Sequence, residues 1–385
     1  MSKLTYDVII VGAGSIGAPT AYFLAQAGLQ VLVVDKHPSV GQGCNKAAIG
    51  GIRATHSDPA KIHLGQESIR VFSTWKEEHG DDIEWIAGGY SFVAYREQEE
   101  RTLRNLLVIQ KEHGLNIDWY DKEEFLEIVP ALNPNGLIGG TYSSEDGSAS
   151  PMRSALAFYR HAKSLGARFH FGETVTGLAL ANGKVVGVCT NKETYYSQVV
   201  INAAGAAASQ VAAMAGVDVP IEPDSHEAGI TEPVAPFIKP MLVDIRPTID
   251  SANYYFYQHA TGQIAFCITP NPPIKGTDRR ETSVFLPQVS RRMVDLVPKL
   301  RHIKVRRTWR GLYPMTPDGF PIVGWAKEVE GLLLAVGMCG QGYMLGPGVG
   351  VLLTHIIQDS ISSEEKDVLA HLRPDRHYAG QEQLK

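Results

Sequence analysis

Apolar positions near the start of the chain fall into two unbroken runs with a spaced one between them. Residues 6–11, YDVIIV, form a short β-branched run of the kind covered on both faces of a sheet. Residues 15–27, SIGAPTAYFLAQA, carry their bulky positions at helical spacing and stop at Gly28, a natural C-cap. LQVLVVDK then repeats the buried-strand pattern. The three segments predict a βαβ unit whose first turn reads Gly12-x-Gly14-x-x-Gly17, with Asp35 closing the second strand. A dinucleotide pyrophosphate needs this spacing. The first glycine permits the tight turn, the second lets backbone approach phosphate, and the third packs helix on strand. The helix then offers free N–H groups to the phosphate. Asp35 is placed to accept from a ribose, and its charge disfavours a 2′-phosphate.

Further along, HAKSLGARFHFGETVTGLALANGKVVGVC reads as helix, strand and hairpin, and QVVINAAG as a buried strand ending in small residues over the cofactor. Residues 85–145 and 219–318 differ in texture. They hold alternating strands such as GGYSFVAY and NYYFYQHATGQIAFCI, with proline-rich connections at 233–240 and 270–273. The expected fold is therefore α/β (α+β): a Rossmann-like lobe of residues 1–84, 146–218 and 319–385, interleaved with an antiparallel-sheet substrate lobe of residues 85–145 and 219–318. A second glycine-rich stretch, GMCGQGYMLGPGVG at 337–350, lies between an apolar strand and a helix. One glycine turn suffices for a nicotinamide cofactor, whereas a flavin explains two. Charge developing at N1 and the C2 carbonyl of its ring is stabilised by a helix N-terminus. Glycines at 337, 340 and 342 let backbone reach a flat ring without Cβ clashes.

Composition narrows the partners. The 385 residues carry a formal net charge of −5, with 20% charged side chains, which gives no footprint for nucleic acid. Cys44, Cys189, Cys267 and Cys339 are scattered without metal-ligand spacing, so a reducing cytoplasm is expected and no metal. The opening MSKLTYDVIIVGAGSIG has no signal-peptide core, and no apolar stretch reaches membrane-spanning length.

DVIIVGAGSIG with Asp35, the INAAG strand, RGLYPMTPDGFPIVG and GMCGQGYMLGPGVG together resemble the FAD-dependent D-amino-acid oxidase superfamily, over essentially the whole chain. GGIRATHSDPA, PIEPDSHEAGITEP and RTWRGLYPMTPDGFPIVG point to the branch holding the β subunit of heteromeric sarcosine oxidase and dye-linked L-proline dehydrogenase. The resemblance implies FAD extended through the first lobe, touching Gly12, Gly14, Ser15, Ile16 and Gly17, then Asp35 and Lys36. Gly43, Cys44, Lys46, Ala47, Gly50 and Gly51 follow, then Val175, Ala204 and Gly205. At the ring end it implies Gly337, Gly340, Gln341, Gly342, Tyr343 and Met344.

The resemblance also implies site chemistry. Arg53 in GGIR stands where sarcosine-oxidase-like proteins grip the substrate carboxylate, a task suited to a guanidinium fork. Tyr313 stands where glycine oxidase places its own carboxylate arginine, a departure favouring a sarcosine- or proline-like site. Alternation puts Tyr255, Tyr257 and His259 on one face of a strand roofing the site. His259 could act as a base, although amine oxidation in the family is hydride transfer needing no protein base. Gly311 replaces the flavin-tethering cysteine of monomeric sarcosine oxidase, and GSASPMR lacks the FMN-tethering histidine of heteromeric β subunits, so FAD is expected to be noncovalent. The segment 254–270 lacks the lysine that activates oxygen, which favours a dehydrogenase over an oxidase. A second subunit, with FMN at the interface, would then carry electrons away. The expected reaction is oxidation of a small secondary or N-substituted amino acid to an imine. The alternatives are a self-sufficient oxidase of glycine, sarcosine or D-amino acids, and a noncatalytic flavin relay subunit.

Overall fold

A computed structural model describes residues 5–384. The anticipated βαβ unit is present: the strands Val8–Val11 and Val31–Asp35 pair in parallel across the helix Gly17–Gln26. They sit in a six-stranded sheet with Leu332–Val336 and Val200–Asn202 on one side and Arg168–Phe171 on the other. Only the edge strand Ile322–Trp325 runs antiparallel. Both faces are covered, which is why these strands read as unbroken apolar runs. Val8, Ile10, Val31 and Val33 face helices, while Ile9, Val11, Leu32 and Val34 face the meander Val175–Ala181, Lys184–Thr190 and Thr194–Tyr196.

The helix Gly342–Ile357 lies against Gly17–Gln26 and Pro59–His79 at backbone contact. A Cβ on Gly346 would fall 2.0 Å from the Ser15 carbonyl oxygen, and one on Gly348 2.3 Å from that of Leu64. The later glycines of the second stretch therefore serve helix packing.

An eight-stranded sheet draws on residues 90–143 and 222–315, in the order 305–315, 222–231, 264–270, 251–258, 241–244, 90–94, 139–143, 117–121. One junction departs from the antiparallel expectation: Met241–Asp244 runs parallel to Tyr90–Ala94. The two strands come from distant parts of the chain, so no hairpin dictates their direction. One face of this sheet, with Leu242, Tyr254, Phe256 and Phe266, packs on the helix Phe285–Leu296. The other carries Tyr90, Phe92, Met241, Val243, Tyr255 and Tyr257. Among the described residues no helix is long and apolar enough to cross a membrane, and no cluster of metal-ligating side chains occurs.

Candidate active site

The carboxyl ends of Val8–Val11 and Leu332–Val336 open onto one cavity beneath the second face of the large sheet. Gly12, Gly14, Ser15 and Ile16 line it, with Gly337, Gly340, Gln341, Gly342, Tyr343 and Met344 from the second glycine stretch. Asp35, Lys36, Gly43, Cys44, Ala47, Gly50, Gly51, Val175, Ala204 and Gly205 complete the wall anticipated from the sequence. Gly17 and Lys46 do not line it. Gly17 instead locks the turn, since a Cβ there would lie 1.8 Å from the Gly12 carbonyl oxygen.

The turn is built for a phosphate-bearing ligand. Gly12 has φ of +109°, and a Cβ on it would strike the Ala203 carbonyl oxygen at 2.5 Å. Asp35 accepts from the Ala13 N–H at 2.7 Å and the His37 N–H at 2.7 Å, so each oxygen keeps a lone pair for a ligand hydroxyl. The helix Gly17–Gln26 has no side-chain cap at its N-terminus, and neither has Gly342–Ile357. Their orphan N–H groups point toward the cavity end of each helix. Gln341 stands at the N-cap position of the second helix without capping it, its Oε1 buried with no hydrogen-bond partner. A buried acceptor left open in a cavity wall fits a flavin, which offers ring N–H.

Arg53 follows the two-residue strand Gly51–Ile52 and lines the cavity while only 4% exposed. It donates to the Thr55 and Leu384 carbonyls, and its guanidinium carbon lies 5.7 Å from the Tyr90 ring centre and 5.5 Å from that of Phe92. Asp146 accepts from the Ala54 N–H at 2.9 Å and from the Thr55 hydroxyl. Burial pushes its carboxyl up to about 6, although Thr55, the Ala54 amide and the charge of Arg53 pull it back.

Tyr255 and Tyr313 both line the cavity, and their hydroxyls meet at 2.6 Å although two strands separate theirs. Burial raises both phenols well above their ordinary range, and it pushes the Cys267 thiol, opposite Tyr255 in the ladder, up to about 12. The roof is therefore a set of neutral hydrogen-bonding groups at physiological pH. Two expected roof residues are placed elsewhere. Tyr257 is buried with its hydroxyl 2.9 Å from where a Gly50 Cβ would be, off the cavity. His259 lies past the strand end at Gln258, its ring nitrogens on Thr261 at 2.8 Å and Glu84 at 3.3 Å, and does not line the cavity either. The alternation that grouped it with Tyr255 breaks at the turn after Gln258.

The histidine that reaches the roof, from behind Tyr313 and without lining the cavity, is His226, a residue the sequence reading passed over. Its imidazole stacks on the Tyr313 ring at 3.8 Å, Nε2 meets Asp224 at 3.2 Å, and Nδ1 is buried without a partner. Alternation along SHEAG would have put residues 224, 226 and 228 on one face. The ring contact crosses strands and leaves no local trace.

Residues 7–356 match the family model described as FAD dependent oxidoreductase. The chain belongs to this family. The hydrogen cyanide synthase subunit HcnC of Pseudomonas aeruginosa is 29% identical over 92% of this chain and 93% of its own. A sarcosine oxidase subunit beta from Rhodobacter capsulatus is 23% identical over 94% and 86%. The crystal structure of L-proline dehydrogenase from P. horikoshii superposes with a TM-score of 0.88 at 30% identity, covering 94% of this chain and 95% of that one. As a member of that family, this chain is an enzyme, an FAD dependent oxidoreductase with FAD as cofactor. The paired glycine stretches and the open Gln341 acceptor fit that cofactor.

Proposed function

We propose that the protein oxidises the C–N bond of a small secondary or N-substituted amino acid, proline- or sarcosine-like, to an imine. The observation that carries the reading is Arg53, a buried cation on the cavity wall beside an aromatic surface, in the same cavity that a pair of neutral tyrosine hydroxyls lines. Arg53 holds the carboxylate by charge-assisted hydrogen bonds. Tyr90 and Phe92 exclude water around it, which strengthens that attraction. Tyr255 and Tyr313 share one proton along their 2.6 Å contact and keep one to donate into the cavity. The orphan amides at the start of Gly342–Ile357 stabilise negative charge that develops during the reaction. When bound, FAD would supply the acceptor for the hydride lost from the carbon attached to the amine nitrogen. The amine nitrogen's lone pair closes the C=N bond, so no protein base is required. Gly12 to Ile16 and Asp35 would hold the dinucleotide, and Gly337 to Met344 the ring, without a covalent tether.

The neutral Cys267 thiol beneath the tyrosine pair supports a dehydrogenase, since that strand offers oxygen no fixed positive charge. We further propose that the chain acts as the catalytic subunit of a cytoplasmic complex, its partner carrying electrons onward through FMN, and that the lobes divide at residues 84, 145, 218 and 318. The heteromeric sarcosine oxidase relatives and the four free cysteines support this. The test is anaerobic. L-proline, sarcosine, glycine and D-alanine are added separately and oxidised-flavin absorbance is followed. Bleaching by a secondary amine alone supports the reading. Bleaching only by glycine or D-alanine, with rapid recovery in air, would replace it with a peroxide-forming oxidase. Arg53→Met should raise KM about 100-fold or more, as loss of a buried charged partner does.

A further inference from the structure

A fully buried ion pair lies near Arg53 and joins distant parts of the chain. Lys61, on the helix Pro59–His79, meets Glu382 at 2.9 Å, their side chains 0% and 1% exposed. Lys61 Nζ also donates to the Gly319 carbonyl at 2.9 Å. Glu382 Oε1 accepts from the Ser57 hydroxyl and from the Leu384 N–H at 3.0 Å, and the Gln383 N–H donates to Ser57 Oγ at 3.2 Å. Residues 382–384 are thereby fixed across the guanidinium, where Leu384 accepts from Arg53 through its carbonyl. The Leu384 side chain, 1% exposed, packs with Tyr90, Phe92, Met241 and Tyr257, of which the first three also line the cavity.

A buried ion pair is poor evidence of stabilisation, because desolvation offsets much of the attraction. What this pair does is hold one segment in one place, and that place is the carboxylate-binding arginine. We infer that Leu384 is a specificity-determining residue of the substrate pocket, with Lys61 and Glu382 as its positioning residues. Its carbonyl occupies one arm of Arg53, leaving fewer N–H groups for the substrate carboxylate. Its isobutyl group does not itself line the cavity but packs behind Tyr90, Phe92 and Met241, so it sets how far those side chains stand into the pocket, which then admits a small ring or N-methyl group and rejects bulkier amines. This rests on the reading of Arg53 as the carboxylate holder.

The test needs no turnover. Pyrrole-2-carboxylate and the larger indole-2-carboxylate are titrated into the full, FAD-loaded chain while flavin absorbance is followed, giving two Kd values. In Leu384→Ala the ratio of the two should shift toward the larger ligand by about tenfold or more, the scale on which an apolar pocket discriminates a few methylenes. Glu382→Gln, which keeps shape and removes the ionic anchor, should shift the ratio in the same direction by a smaller factor at unchanged flavin content. An unmoved ratio in flavin-loaded Leu384→Ala overturns the inference. If that variant does not fold, Leu384→Val serves, and an unmoved ratio there has the same force. Arg53→Met separates the two readings: if it leaves both Kd values unchanged, the carboxylate assignment fails, whereas weakened binding with no effect of Leu384 removes only the present inference.

Discussion

Asp146 shows how one buried carboxyl tunes the charge of its neighbour. Its carboxyl, raised by burial to about 6, passes from neutral to anionic as pH climbs through that value, close to the guanidinium of Arg53. Below that point Arg53 presents its full charge to the substrate carboxylate. Above it the new anion competes. KM should therefore rise by about threefold to tenfold as pH climbs through 6, the factor for about 1 kcal/mol of lost attraction. Asp146→Asn should remove that part of the profile, and a profile that keeps its inflection in the variant would assign the titration elsewhere. The sign for folding is the same. A carboxyl whose folded pKa is raised contributes stability that is greatest below its unfolded value and is lost as pH rises through about 6. Asp146 was invisible in the sequence, because its partners Ala54 and Thr55 lie 92 and 91 positions away. Arg53 was singled out through the resemblance carried by GGIR, and it lies on the cavity wall.

At the scale of elements, the turn before Gly342–Ile357 and the strand Val305–Met315 have to meet at close range. Gly340 has φ of +81°, and a Cβ there would lie 2.2 Å from the Tyr313 ring, which His226 stacks against. Gly340→Ala must push the ring or the turn aside, so it should lower the rate of anaerobic flavin reduction by about tenfold or more, the sensitivity of a positioned group to a shift of about 1 Å. Gly177→Ala in the strand Val175–Ala181 is the control, since a Cβ there meets nothing nearer than the Cys189 Cβ at 3.8 Å and the residue does not line the cavity. Equal effects in the two variants would remove Tyr313 from the explanation. The elements carrying these glycines were readable from the sequence: buried parallel strands give unbroken apolar runs, and the turns between them are punctuated by glycine. The parallel junction of Met241–Asp244 with Tyr90–Ala94 was not readable, since about 150 residues of chain intervene and neither strand's pattern names its neighbour. His259 was misplaced for a related reason, because alternation describes a strand and carries no signal of where it stops.

Across the whole molecule, the Lys61–Glu382 pair joins residues 321 positions apart and so couples the helix Pro59–His79 to the segment over the active site. Burial would raise the Glu382 carboxyl, but the charges of Lys61 and Arg53 outweigh it and hold the group well below the usual carboxylate range. A depressed folded pKa contributes stability that is present above the unfolded value of about 4.3 and is lost as pH falls below it. Acid should therefore loosen the C-terminal segment before it melts the sheets, which limited proteolysis at stepwise lower pH would detect as cleavage near residue 382. Lys61→Met alone strands a buried anion and should cost about 3–5 kcal/mol in denaturant unfolding, whereas Lys61→Met with Glu382→Leu should recover most of that loss, because an apolar pair of similar volume avoids desolvation altogether. The double variant then separates the two roles of the ion pair. If stability returns while discrimination between pyrrole-2-carboxylate and indole-2-carboxylate does not, the pair is kept for the position it imposes on Leu384; if both return together, the charge has no role in the site that simple packing cannot supply.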